Sequence, residues 1–266
     1  MTKVKGFTLN TEKNKKDYRW LSFIVFVILI AAWCIASYSG MVSKIFLPSP
    51  SDVVNEIVKG AKDGSLWENC WISTKRVMIG WFWSAAAALP LGMLMALSGK
   101  FTAIIRPFIE FARYLPVVAL VPLTLLYLGI DEAQKYTVIW LGTFFQLILM
   151  VCDTVSSVSK NQVNAARTLD ANKWQVYLYV ILPASLPGLL DDFRLTVGWA
   201  WTYLVVAEMV AAGSGLGYII LKSQRFLATD VIFMGLILIG LIGLLTDFLF
   251  RLLSGVLVPW YKRLGD

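Results

Sequence analysis

Histidine is absent from this 266-residue sequence, and only 15% of its residues are charged. Without histidine the chain lacks the most common general base and the most common transition-metal ligand, so we predict no catalytic residue and no metal site. Three cysteines, Cys34, Cys70 and Cys152, have neither zinc-site nor disulfide-framework spacing, and we interpret them as small apolar residues. These absences argue against an enzyme.

Hydrophobic residues make up 58% of the chain, too many for a soluble domain that needs a polar surface. The net charge of +7 does not indicate nucleic-acid binding, because the basic residues are scattered and no binding motif accompanies them. In a membrane protein this charge is typical of Lys and Arg on the cytoplasmic side. The composition therefore predicts an integral membrane protein without a nucleic-acid partner.

Six apolar runs are candidates for helices that cross the roughly 30 Å of a bilayer's hydrocarbon. They are residues 20–38, 77–97, 117–128, 136–155, 195–212 and 231–253. The third run is short: Pro116 stands at its start and Pro122 lies within it. Residues 104–114 are a candidate cytoplasmic extension of this run. We therefore predict an all-α polytopic membrane protein with about six transmembrane helices.

The distribution of basic residues predicts the orientation. With the N-terminus in the cytoplasm, about two thirds of the 24 Lys and Arg residues lie in cytoplasmic segments, which favours cytoplasmic termini. Residues 1–19 then form a cytoplasmic tail, residues 20–38 an uncleaved first transmembrane helix, and residues 39–76 an extracytoplasmic segment. In that segment Ser51 is the predicted N-cap of an amphipathic helix. Its apolar residues are Val53, Val54, Ile57 and Val58.

Residues 164–183 read as two short helices with a break between them. Three residues share one face of the first helix: Ala165, Ala166 and Leu169. Asp170 or Asn172 caps the second helix, whose apolar face holds Trp174, Tyr177, Leu178 and Ile181. Pro183 and Pro187 end the segment before the next span. From the residues alone, two interpretations stay open: a docking element for a partner, or a re-entrant loop packed on its own bundle.

This segment resembles the cytoplasmic signature of binding-protein-dependent ABC permeases: Glu-Ala-Ala, three residues, Gly, nine residues, then Ile-x-Leu-Pro. The matching positions are Ala165, Ala166, Leu182 and Pro183, with Val180 at the isoleucine position. Asn164 replaces the glutamate, which removes a charge that would pair with a basic residue on the ATPase. Asp170 replaces the glycine, and aspartate tolerates turn geometry.

The resemblance extends over residues 45–260. Segments 47–51, 113–123, 207–210 and 213–218 are similar to the nitrate, sulfonate, taurine and bicarbonate branch of the family, and segment 199–208 is closer to its sulfonate and taurine side. The resemblance places a permease domain at residues 77–258, with a cytoplasmic coupling segment at 156–190, and leaves residues 259–266 as a cytoplasmic tail.

The resemblance implies a type I ABC importer permease in the bacterial inner membrane, surrounded by lipid. Its partners would be a second permease copy, most simply an identical one, two cytoplasmic ATPase subunits and an extracytoplasmic substrate-binding protein. ATP and Mg would bind the ATPases, and this chain would bind no cofactor. The implied ATPase-coupling residues are Asn164, Ala165, Ala166, Arg167, Thr168, Leu169, Asp170 and Ala171, supported by Trp174, Val180, Leu182 and Pro183.

The implied cargo is a small solute such as a sulfonate or taurine. The alternatives are nitrate or bicarbonate, or a secondary transporter or channel that needs no ATPase. Candidate path or gate residues are Arg113, Pro116, Gln146, Thr202 and Glu208. For Glu208, an acid inside an apolar run, an interhelix hydrogen bond or a gate is favoured over anion binding. Arg113 either attracts anions or anchors the chain at the cytoplasmic interface.

Three further patterns make local predictions. Asp247 and Arg251 are spaced for an ion pair within one helix. The glycine string at 213–217 lacks a nucleotide-binding lysine and is predicted to shape the outer end of the fifth span. Four tryptophans near span ends are predicted to lie in interface belts: Trp81, Trp83, Trp199 and Trp201.

Overall fold

The computed structural model describes residues 15–261, with side chains for 20–210 and 212–261. This part of the chain is helical and contains no strand. The helices are α1 (Lys15–Tyr38), α2 (Pro50–Lys62), α3 (Ser65–Leu97), α4 (Gly99–Ala112), α5 (Val117–Leu128), α6 (Glu132–Ser156), α7 (Lys160–Thr168), α8 (Lys173–Val176), α9 (Leu182–Ala211), α10 (Leu216–Arg225) and α11 (Thr229–Leu257). Most of the two predicted tails, residues 1–14 and 262–266, lies outside the described residues.

Five stretches are long and apolar enough to span a membrane: Trp20–Tyr38, Ser65–Leu97, Glu132–Ser156, Lys173–Val210 and Thr229–Leu257. A sixth span is possible if α4 and α5, which meet at 94°, are counted as one broken element. Helix α5 alone, at 1.5 Å per residue, is about 18 Å long and too short to cross. The described residues thus confirm an all-α chain with five or six spans.

The bend between α4 and α5 corrects the predicted third span. Residues 104–114, expected as its extension, fall mostly in the separate helix α4. Pro116 stands immediately before α5 with extended backbone angles, and a residue that precedes a proline is disfavoured in the helical region. The proline therefore separates two helices instead of kinking one.

Two of the membrane helices begin earlier in the sequence than the apolar runs that predicted them. Helix α3 starts at Ser65 instead of residue 77, so the predicted extracytoplasmic segment 39–76 is helical from Ser65 onwards. The charged side chains of the first turns, among them Arg76, shortened the apolar run without ending the helix. A hydropathy profile marks the limits of an uncharged run. A helix extends beyond that run when its charged side chains have hydrogen-bond partners, as Arg76 does.

The start of α9 differs more. Pro183 and Pro187 were expected to end the signature before the span, yet both lie within the first turns of α9. A π-helical segment, Tyr177–Ile181, joins α8 to α9, and the N–H of Leu182 donates to the carbonyl of Tyr177. A proline ring clashes with the carbonyl four residues earlier in an α-helix, and the wider π turn relieves that clash. The second signature helix is therefore the beginning of the long membrane helix.

Helix α6 lies at the centre of the bundle, packed between α3 and α9. A Cβ on Gly80 or Gly92 of α3 would overlap Ile139 or Val151 of α6, so both glycines are needed for the approach of the two helices. Gly142 of α6 faces the ring of Tyr203 on α9 in the same way. Small residues, rather than interlocking large ones, set the spacing of this core.

Two of the four predicted belt tryptophans lie in the core. Trp81 and Trp201 are only 7% and 4% exposed. The Trp81 indole donates to Thr196 Oγ1 at 3.0 Å, and the Trp201 indole donates to Thr246 Oγ1 at 3.3 Å. Because a membrane helix can supply a buried hydroxyl acceptor, proximity to a span end does not place a tryptophan at the interface.

Helix α2 forms as predicted but is capped by Ser49, not by Ser51. Ser49 Oγ accepts from the N–H of Asp52 at 3.2 Å, and the Asp52 carboxylate accepts from the N–H of Ser49 at 3.2 Å, which completes a capping box. The Ser49 hydroxyl also donates to the Asp52 carboxylate at 2.6 Å, and this bond, together with the one from the Ser49 N–H, lowers the pKa of Asp52 below its usual range. Of the predicted apolar face, Val53 is buried, whereas Val54 is 53% exposed.

Candidate functional site

The first part of the signature is a helix that ends in a tight left-handed turn. At the end of α7 the N–H of Ala171 donates to the carbonyl of Ala166 at 3.2 Å, and the N–H of Asp170 donates to the carbonyl of Arg167 at 3.0 Å. Asp170 has φ of 59°. This is a Schellman ending, which favours glycine at the left-handed position. The departure from the signature glycine therefore keeps the backbone conformation and adds a carboxylate.

Asn172, not Asp170, caps the second helix. Its side-chain oxygen accepts from the N–H of Gln175 at 3.0 Å, and the Gln175 side chain accepts from the N–H of Asn172 at 2.8 Å. This capping box fixes the direction in which α8 leaves the turn. The break between the two helices is thus specified by hydrogen bonds within residues 166–175.

The helix pair presents its side chains outward. Helix α7 has no buried residue, Leu169 is 85% exposed and Trp174 is 72% exposed. Val176 is buried, and the Tyr177 hydroxyl donates to the sulfur of Met93 on α3 at 3.0 Å. The later signature residues Val180, Leu182 and Pro183 are partly buried. The segment is therefore anchored on α3 through its second half and leaves most of its first half exposed.

At the opposite end of the bundle, which we call the distal end, Glu208 is completely buried. Its carboxylate accepts from Ser73 Oγ and from Arg76 Nη1 on α3, each at 2.8 Å, and from the N–H of Gly217 at 2.8 Å. Gly217 belongs to the first turn of α10, where free N–H groups favour a negative charge. Glu208 therefore joins α9 to α3 and α10, as the interhelix hydrogen-bond interpretation expected.

Arg76 is the centre of this distal cluster, and sequence reasoning missed it. Its guanidinium also donates to both carboxylate oxygens of Glu132, through Nε at 2.8 Å and through Nη2, and to the carbonyl of Ser214 at 2.7 Å. The side chain is 3% exposed. The signal was present, because an acid within an apolar run requires a cation nearby, and Arg76 borders the second run.

The glycine string after α9 wraps the buried carboxylate. Gly215 has φ of 108°, and a Cβ there would overlap the carboxylate of Glu208. A Cβ on Gly217 would also crowd Glu208. The N–H of Leu216 donates to Ser73 Oγ at 2.9 Å. The prediction that these glycines shape the end of the fifth span is confirmed, and the reason is the close approach of backbone to Glu208.

Two of the five candidate path residues meet in one cavity. Arg113 and Gln146 line a cavity of about 260 Å³ whose aromatic walls include Trp199 and Tyr203. The Arg113 guanidinium donates to the Tyr114 hydroxyl at 3.0 Å and lies 4.9 Å from the centre of that ring. No carboxylate lines this cavity.

The other three candidates lie elsewhere. Pro116 and Thr202 are exposed but do not line the cavity, and Glu208 is held in the distal cluster. These three residues were predicted to line a translocation path because proline, threonine and glutamate are unusual within an apolar run. The packing shows instead that one of the three is structural and two face outward from this chain.

Comparison with known proteins identifies the family. Residues 88–261 match the family described as binding-protein-dependent transport system inner membrane component. The chain belongs to this family. The permease is 33% identical to the taurine transport system permease protein TauC of Escherichia coli K12 over 260 residues, which cover 93% of this chain and 94% of the relative. It is 26% identical over 200 residues to the nitrate import permease protein NrtB of Leptolyngbya laminosa, covering 75% and 71%.

Solved structures support the same fold. A chain from the inward-facing MetNI methionine ABC transporter aligns with a TM-score of 0.60 at 20% identity, covering 72% of the permease and 97% of that chain. The permease therefore has the type I ABC importer fold and is a multi-pass transport subunit. In ABC importers ATP is hydrolysed by a separate component.

One local ion pair in the permease is more extensive than predicted. Asp247 accepts from Arg251 Nη2 at 3.0 Å, as the spacing predicted. Asp247 also accepts from Nε of Arg194 on α9. The pair thus links α11 to α9, a contact between distant residues that no local spacing rule finds.

Proposed function

We propose that this permease forms the translocation path for a small sulfonate-type anion such as taurine, supplied by a soluble binding protein and driven by ATPases docked on residues 164–171. The observation that carries the substrate class is the cavity with Arg113 and Gln146. It offers a guanidinium and an amide, and no carboxylate lines it.

The chemistry of the cavity suits a tetrahedral oxyanion. A sulfonate presents three acceptor oxygens, and a guanidinium donates two parallel hydrogen bonds to such a group. The Gln146 amide adds a donor, and the aromatic rings of Trp199 and Tyr203 border the cavity on α9. The 33% identity to a taurine permease supports a sulfonate over nitrate or bicarbonate.

The exposed helix pair supports the docking role. Leu169 and Trp174 are exposed apolar side chains. Exposed apolar side chains that do not face lipid mark a contact surface for another protein. Because Asn164 is neutral, docking relies on apolar fit at α7 more than on a salt bridge. The ATPases hold ATP and Mg, and their closure moves the paired signatures of two permease copies together, which rocks the bundle between inward and outward states.

In the proposed orientation the signature and both termini lie on the cytoplasmic side of the bacterial inner membrane. The distal end lies on the extracytoplasmic side. The distal end has a cleft of about 490 Å³ between α2, α3, α10 and α11. Its lining mixes acids and bases, among them Glu56, Glu68 and Lys222. A cleft of mixed charge at this end suits transient docking of the binding protein.

The substrate proposal is tested by ATP-driven uptake of labelled taurine into vesicles that contain the complete complex and its binding protein. Arg113→Gln is expected to lower uptake about 10- to 100-fold, because a hydrogen bond to a charged group is lost. Lys100→Gln, an exposed cation on the neighbouring α4, is the matched control and should leave uptake unchanged. Uptake of nitrate but not taurine would refute the substrate class, and uptake without ATP hydrolysis would refute the importer mechanism.

The coupling role is tested separately. Ala165 is exposed on α7, and Ala165→Leu enlarges the docking face without altering the core. We expect the ATPase activity stimulated by the loaded binding protein to fall at least about tenfold, since a misplaced element loses that much when positioning fails. Asn161→Gln, on the same helix but outside residues 164–171, should retain full activity. Equal activity of the two variants would exclude docking through this face.

A further inference from the structure

A second, larger groove lies beside the signature. It has a volume of about 730 Å³ and is formed by the last turns of α3, by α7 and α8, and by the π turn that follows. Eleven of its thirteen lining residues are apolar or aromatic, and the other two are Arg167 and Lys173. The volume is in the range of ligand pockets. None of the path residues lines it.

The groove lies at the level of a membrane surface. Residues 77–97 of α3 contain no charged side chain, and at 1.5 Å per residue this run is about 32 Å long, close to the hydrocarbon thickness of a bilayer. The part of α3 that lines the groove, from Leu89 to Leu97, is the last nine residues of that run. Leu94 and Leu97 are 45% and 51% exposed. The apolar floor thus lies in the hydrocarbon, and the signature lies at the headgroups.

The two cations of the groove have no ion-pair partner among the side chains that the structure describes. Among residues 20–210 and 212–261, neither Arg167 nor Lys173 takes part in an ion pair. Both are exposed, and no acid lines the groove; Asp170, the nearest acid in sequence, is not among the lining residues. An apolar groove with an unpaired positive mouth complements a molecule that has an apolar chain and an anionic head.

We propose that this groove binds an anionic phospholipid, with an acyl chain on the apolar floor of α3 and the phosphate between Arg167 and Lys173. Basic pockets between membrane helices on the cytoplasmic side are the usual binding sites of anionic headgroups. The lipid would fill the space between α3 and α8, next to the exposed face of α7. It would thereby stiffen the segment that the proposed function assigns to ATPase docking, although its binding does not depend on that role.

The test is native mass spectrometry of the purified permease–ATPase complex in detergent, titrated with phosphatidylglycerol or with phosphatidylcholine. We expect preferential retention of phosphatidylglycerol. Lys173→Gln should weaken it about fivefold, the effect of one lysine at an anionic surface, and Lys173→Glu should weaken it further. Lys160→Gln, an exposed cation on α7 that does not line the groove, should have no effect. Soluble glycerol phosphate should not compete, because it lacks the acyl chain.

Other occupants give different results. Equal retention of the two lipids, or no change in Lys173→Gln and Lys173→Glu, would overturn the site. If the permease alone binds phosphatidylglycerol and the complex does not, the ATPase covers the groove and the lipid proposal is wrong. If neither sample binds it, the groove is filled by protein, such as the second permease copy, and the proposal is equally wrong.

Discussion

The two ends of the bundle use charge in opposite ways. At the distal end Arg76 and Glu208 are almost entirely buried, and Glu208 accepts from three donor groups on α3 and α10. At the signature end Arg167 and Lys173 are exposed, and neither pairs with an acid among the side chains that the structure describes. Charged side chains are thus paired with each other at the distal end, whereas at the signature end they are free to bind another molecule.

The difference assigns different roles to the two ends. A buried charge is tolerated only when its partners are fixed, so the distal cluster holds α3, α6, α9 and α10 in one arrangement. An exposed helix without buried residues contributes little to folding, so α7 is free to be shaped by contacts with other molecules. Substitutions at the distal end should therefore reduce stability, and substitutions at the signature should change local order and coupling.

The largest effect is expected from Arg76→Met. The substitution leaves the buried carboxylate of Glu208 without its cation, and breaking such a pair costs about 3–5 kcal/mol of unfolding free energy. Denaturation of the purified permease in mixed micelles, followed by tryptophan fluorescence, measures the loss.

The control is the double variant Arg76→Met with Glu208→Gln, which removes the charge on both partners. It should recover a large part of the loss, because a neutral amide is cheaper to bury than an unpaired carboxylate. If the losses of unfolding free energy in the two single variants add up to the loss in the double variant, the two residues contribute independently and are not coupled in the distal cluster.

A smaller loss is expected from Gly80→Ala, which tests whether the packing around this cluster is equally fixed. The new Cβ would overlap Ile139 and press on the backbone carbonyl of Tyr136, which has little room to move. Overpacking of this kind costs about 1–3 kcal/mol. The matched change is Gly240→Ala in α11, where nothing lies within 4 Å, and it should be neutral or slightly stabilising. Similar melting temperatures for both variants would contradict the close packing of α3 on α6.

The comparison also explains what the sequence made predictable. Apolar runs and the signature spacing are local patterns, and they predicted the membrane class, most of the spans and the break between two short helices within residues 164–183. The turn at Asp170 was open to prediction for the same reason, since its hydrogen bonds join residues at most five positions apart. Local patterns suffice where the structure is determined locally.

The distal cluster escaped prediction because its contacts are long-range. Arg76 and Glu208 lie 132 positions apart, and Trp81 finds its acceptor 115 positions away. Glu208 within an apolar run indicated that a cation lies nearby, but neither hydropathy nor local spacing identifies the partner of Glu208 or of Trp81. The early start of α9 was missed for another reason. A proline ends a helix reliably only when no wider turn precedes it, and the π turn at 177–181 has no sequence signature by which it could be predicted.

At the signature end the first prediction is a loss of local order in Asn172→Ala. Removing the cap should cost about 1 kcal/mol of local helix stability. Faster hydrogen exchange at the amides of Lys173 and Gln175, without a change in the melting temperature, would match the exposed position of this turn. A drop in melting temperature as large as that of Gly80→Ala would mean that the signature end is as structural as the distal end.

The smallest effect is expected from Asp170→Gly, which restores the signature residue. Glycine adopts the left-handed conformation at no steric cost, so the turn should gain up to about 1 kcal/mol of local stability, seen as slower hydrogen exchange at the amides of positions 170 and 171. Asp170→Ala should act in the opposite direction, because alanine is strained at this φ. If both variants change exchange equally, the carboxylate rather than the backbone decides the turn. If Asp170→Gly orders the turn yet lowers ATPase stimulation, the carboxylate contacts the ATPase, and the available charge of the signature end includes an acid as well as two cations.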